Sequence, residues 1–127
     1  MSALNAFTTQ LVNFFDELCN TFPEDKDIKM ATEAIKGAKK INPRLILDLF
    51  IEHVYTDLSI AIKAHDINII REVAKKKIST QFNEMISALT IFDKYWDSMG
   101  QKNQDIIWQY MKVLCILTEK IRVSADK

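Results

Sequence analysis

The chain has 127 residues, 48% of them apolar, with seventeen Lys and Arg set against seventeen Asp and Glu. That length suits one ordinary domain, able to bury about two-thirds of the surface its unfolded form exposes. Zero net charge removes any whole-molecule pull toward nucleic acid or anionic lipid, and two Gly and two Pro are too few for collagen-like, low-complexity or turn-rich all-β chains.

The opening MSALNAFTTQ has neither a basic n-region nor a long apolar h-region, so it does not read as a secretion signal. Leu4, Phe7, Leu11, Phe14, Phe15, Leu18 and Phe22 then recur at steps of three and four and line one helix face. Pro23 ends that helix, because a residue before proline avoids the α region. Pro23 and Glu24 open the second, with Asp25 and Asp27 at its positive end and Lys36, Lys39 and Lys40 at its negative end. Its apolar stripe is thin: Ile28, Ala31, Ala34, Ile35 and Ala38. Gly37 weakens its last turns.

Asn42-Pro43 is a helix start, a capping residue followed by proline at the first helical position. The third helix runs from Pro43 to about Ala64 and is apolar over more than one face, as expected of a central buried helix. Ala64-His65-Asp66 breaks the pattern, and Asp66 can cap a short helix that ends at Lys75-Lys76-Lys77. Ser79-Thr80 reads equally as a kink, a cap or mid-helix. Phe82, Met85, Ile86, Leu89, Phe92, Tyr95, Trp96 and Met99 repeat helically up to Gly100, in the place of a C-cap. Asn103 caps a last helix with Ile106, Ile107, Tyr110, Met111, Leu114, Leu117 and Ile121 on its face, and the tail from Ser124 frays. No segment alternates with period two. The expected fold is all-α: residues 1–127 form one bundle of five or six largely antiparallel helices around the rod at 43–64.

Sites with chemistry are hard to build from these residues. His53 and His65 lack metal-ligand spacing, and no HExxH, CxxC or Glu-x-x-His motif occurs. Cys19 and Cys115 fall in apolar helical patterns and read as buried thiols, and GxSxG is absent. The carboxylate pairs Asp16-Glu17, Asp48-Glu52 and Asp93-Asp97 read as solvated acids. Two glycines cannot make a phosphate-cradling loop. The expectation is therefore no enzyme, no metal and no cofactor. No run is long and apolar enough for a membrane span, and the amphipathic first helix has no Lys or Arg on its polar face for lipid.

Two local features remain. Five bases against one acid lie between Lys29 and Arg44, and five against two between Lys63 and Lys77. If they converge, Lys36, Lys39, Lys40, Arg44, Lys75, Lys76 and Lys77 make a patch for nucleic acid, although bases near helix C-termini have a simpler electrostatic reason. Surplus apolar surface on the third and last helices points instead to protein partners, with Trp96, Trp108 and Tyr110 as candidate anchors or as core residues.

Three stretches, QLVNFFDELCNTFPEDKDI, KKINPRLILDLFIEHV and FDKYWDSMGQKNQDIIWQYMKVLCIL, are spread along the chain from Gln10 to Leu117. In this order they resemble small, functionally uncharacterised proteins of large DNA viruses of algae and protists. The resemblance rests on Phe14, Phe15, Phe22, Pro23, Asn42, Pro43, Phe50, Trp96, Asn103, Trp108, Tyr110 and Leu114, mostly core and cap residues. It implies a viral protein of host cytoplasm or virion and carries over no catalytic or binding residue. The function expected from the sequence is a non-enzymatic protein-interaction or virion-associated component that can self-associate as a homo-oligomer. A nucleic-acid-binding accessory protein is the first alternative, and an adaptor that takes a partner helix into a groove is the second.

Overall fold

The computed structural model describes residues 2–81 and 83–125, without the side chains of 123–125. Its elements are α1 (Ala3–Thr21), α2 (Lys26–Ile41), α3 (Pro43–Phe50), a π-helical turn (Ile51–Tyr55), α4 (Thr56–Ala64), α5 (Ile67–Thr80), α6 (Glu84–Lys94) and α7 (Gln101–Ala125). The chain continues without a break from α3 through the π turn into α4, so six rods result, and no strand occurs among the described residues. Phe82, which the sequence assigned to the α6 repeat, and Asp126 and Lys127 of the expected frayed tail lie outside the described residues. Ser124 and Ala125 are still helical.

Short polar side chains set most of the starts. Ser2 accepts from the Asn5 amide, Asp25 from Ile28 and Asp66 from Ile69, while Asn83 accepts from both Met85 and Ile86. Each satisfies a first-turn N–H that has no partner inside its helix. Several boundaries differ from those read in the sequence. α2 starts at Lys26 because Asp25 is its cap, so Pro23 and Glu24 belong to the preceding turn. Asn42 leads into Pro43 without a side-chain cap bond. α5 passes Lys77 and ends at Thr80, where the Ser79 and Thr80 hydroxyls both donate to the Lys76 carbonyl at 2.9 Å. α6 stops at Lys94. Gly100 does not close it, since no glycine has positive φ, and its carbonyl instead accepts from the Gln104 amide at the start of α7. Asn103 therefore lies inside the first turn of α7. The one left-handed non-glycine residue among those described is His65, which closes α4 at φ 54°.

One continuous core joins all six rods. The rod from Pro43 to Ala64 is its hub, packing against α1, α2, α5, α6 and α7. Ile46, Leu47, Phe50, Val54, Leu58, Ala61 and Ile62 face inward, while Leu45 (46% exposed) and Ile60 (84%) stay in water. α1 and α2 run antiparallel: as α1 positions rise from Thr9 to Asp16 to Cys19, their α2 partners fall from Lys39 to Lys36 to Thr32.

Candidate functional site

The two tryptophans belong to the chain's own core. Trp96 and Trp108 are 6% and 7% exposed and meet edge to face at 5.2 Å, with Phe92 tilted against both. Trp96 sits in the turn after α6, where its carbonyl accepts from the Gln104 side chain. The outer face of the Trp108 indole is covered by the His65 ring, stacked at 4.3 Å. Neither tryptophan is therefore an anchor offered to a partner. Tyr110 is half-buried, tilted on Phe14 at 5.4 Å, and borders a shallow α1–α7 groove with Gln10, Glu17, Ile106 and Val113. Burial, with Glu17 and Asp16 nearby, pushes its phenol above the usual tyrosine value.

The basic candidates are dispersed and mostly matched. Lys36 meets Asp16 of α1 at 2.8 Å, and Lys39 donates weakly to Thr9. Arg44 lies 3.8 Å from Asp48, and Lys75 lies 3.9 Å from Asp93 of α6. Lys77 is buried, its ammonium 2.6 Å from Asp57 of α4. Lys40 and Lys76 are exposed. The two segments thus face different helices, with most of these cations beside an acid or hydroxyl of the chain itself.

Charge pairing repeats elsewhere. Glu119 of α7 accepts from Tyr55 at 2.8 Å and pairs with Lys63, which together hold its carboxyl below the usual range. Arg71 pairs with Asp97 and donates to the Phe92 carbonyl. His53, in the π turn, contacts Gln81 and Asn83 on the α5–α6 connection at 3.1 and 3.3 Å. Cys115 is fully buried, and burial pushes its thiol up to about 11. Cys19 is only half-buried, its sulfur 3.0 Å from the Thr32 hydroxyl, so one of the two expected buried thiols reaches the surface. Among the described residues, no three His, Cys, Asp or Glu are placed to hold a metal ion. No helix there is long and apolar enough to cross a membrane.

Besides the exposed Lys40 and Lys76, apolar side chains also reach water. Met30 is 70% exposed and Ile41 is 88% exposed, both on α2. Ala34, assigned by the sequence to the core stripe, is exposed between them, as is Gly37. Met30 and Ala34 also edge a mainly apolar groove against Asn83, Glu84 and Ser87 at the start of α6. Comparison with protein-family models, with curated proteins and with solved structures finds no match.

Proposed function

We propose that this chain is a non-enzymatic helical binding protein that works by protein association, with copies of itself among its partners. The observation that carries the reading is the outer face of α2. Isolated exposed apolar side chains are ordinary, but Met30 and Ile41 lie along one helix face on a chain whose core is already complete. A folded chain gains nothing from that face by itself, whereas a partner would remove it from water. The nucleic-acid reading has less support, because Lys36, Lys75 and Lys77 already face carboxylates. Virion association and a cytoplasmic setting rest on the sequence resemblance alone.

Sedimentation equilibrium from micromolar to millimolar concentration tests the reading. Mass rising with concentration is expected, and a strict monomer throughout overturns it.

A further inference from the structure

Met30, Ala34, Gly37 and Ile41 follow one another at steps of four, three and four, the spacing of a helix–helix seam. The opposite side of α2 is occupied by the core through Ile28, Ala31, Thr32 and Ile35. Along the seam the sizes run large, small, small, large, so the order reads the same in both directions. Laid antiparallel on a second copy, with a two-fold axis between Ala34 and Gly37, Met30 falls opposite Ile41 of the other copy. Ala34 then falls opposite the other copy's Gly37. The small pair lets the backbones approach, and a Cβ at Gly37 would meet nothing within 4 Å.

Charge follows the same symmetry. Glu33 and Lys40 flank the seam seven residues apart, in equivalent heptad positions. Glu33 lies on the side toward α1, where it borders a groove with Cys19 and Lys36. Neither Glu33 nor Lys40 forms an ion pair among the described residues. In the antiparallel arrangement each Glu33 lies beside Lys40 of the other copy, giving two opposite-charge pairs, and the helix dipoles oppose. A parallel arrangement stacks Met30 on Met30, Ile41 on Ile41 and like dipole ends together, and leaves Glu33 with only Lys36 of its own chain nearby and no cation of the other copy.

We propose that the chain forms a two-fold dimer in which α2 packs antiparallel on α2 of a second copy. This rests on the association reading above and adds its surface, register and symmetry. One helix pair is a small interface, so the dimer is weak and concentration-dependent.

The test is sedimentation of the full chain and of two charge variants, alone and mixed. Wild type associates. Glu33→Lys sets a new lysine against Lys40 of the other copy, and Lys40→Glu sets a new glutamate against Glu33. Each alone weakens association about tenfold, from two attractive pairs turned repulsive. Mixed in equal amounts, the two variants recover wild-type association, because the doubly basic face of the first meets the doubly acidic face of the second. Wild-type association with no effect of either variant, or no recovery on mixing, overturns the α2 surface and leaves the association reading standing. A wild type that stays monomeric overturns both. Glu33 and Lys40 are both exposed, and circular dichroism checks that the fold is unchanged.

Discussion

The carboxylate of Asp25 serves two helices. One oxygen caps α2 at the Ile28 amide, 3.0 Å away, and the other accepts the Tyr95 phenol at 2.5 Å with the Lys94 ammonium at 3.9 Å. Burial alone would raise its pKa, but the bonds from Tyr95 and Ile28 outweigh burial and hold it below the usual carboxylate value. That contribution to stability is present above the unfolded carboxylate pKa and is lost as pH falls through the lower folded one. Tyr95 is the mirror case. Its bond to Asp25 pushes its pKa from 10 up to about 12, so its contribution is whole below pH 10 and is lost as pH rises toward 12. Tyr95→Phe should cost about 2 kcal/mol at neutral pH, and the gap from wild type should shrink between pH 10 and 12 in urea titrations. Lys77 shows a different asymmetry. It occupies the α5 face shared with Ile70 and Ala74, so its long stem lies in the core and only its ammonium needs Asp57. Asp57→Asn, which leaves that ammonium without its carboxylate, should cost about 2 kcal/mol. Lys77→Met, which keeps the packing, should cost under about 1 kcal/mol by the same measurement. In sequence Lys77 read as one of three basic residues, yet its step of three from Ala74 already set it on the inward face.

At the scale of elements, the rod from Pro43 to Ala64 shows why it contains a π turn. Its buried residues Ile46, Phe50, Val54, Leu58 and Ile62 recur strictly every four positions. In a regular α-helix a four-residue step overshoots a turn by about 40°, so such a stripe would wind off the core. The wider turn at Ile51–Tyr55, with the Thr56 hydroxyl bonded to the Ile51 carbonyl at 2.8 Å, unwinds the drift and keeps Leu58 and Ile62 facing inward. The repeat is visible in the sequence, but apolar neighbours at Leu45, Leu49, Ile51 and Ile60 hide it. α2 conceals its second face similarly: its stripe through Ile28, Ala31 and Ile35 is the stronger, so Met30, Ala34 and Ile41 do not register as a seam of their own. The start of α5 is legible at Asp66, whereas Asp25 reads as a first-turn residue although it caps α2, and Gly100 reads as a helix end although it precedes a helix. Gly37, in the body of α2, carries no positive φ and has open space at its Cβ. In the dilute monomer, Gly37→Ala should therefore stabilise the chain by about 1 kcal/mol, seen as a melting midpoint a few degrees higher.

For the whole molecule, what matters is which rod touches the rest. The abundance of apolar residues between Pro43 and Ala64 made that rod recognisable as central from sequence. Its neighbours were not recognisable, because packing order depends on contacts between positions far apart in the chain, such as Tyr55 with Glu119 and Phe7 with Phe50. For the same reason the two lysine-rich segments, similar in composition, could not be seen to face different helices. Apolar character in this rod therefore overstates how much each residue contributes, and exposure ranks the residues better. Phe50 is 1% exposed and packs edge to face on Phe7 at 5.2 Å, close to Leu11, Phe15 and Met85. Ile60, further along the same rod and as apolar, is 84% exposed. Phe50→Ala should cost about 3–5 kcal/mol, through lost transfer energy and a cavity between α1, α6 and the rod. That is a large share of the roughly 5–15 kcal/mol that holds a domain of this kind together. Ile60→Ala removes little buried surface and places a better helix former in α4, so its effect should stay within about 0.5 kcal/mol. Chemical denaturation of the two variants beside wild type measures the contrast directly, and similar losses at the two positions would mean that the rod is sheathed on both sides and is not buried along one.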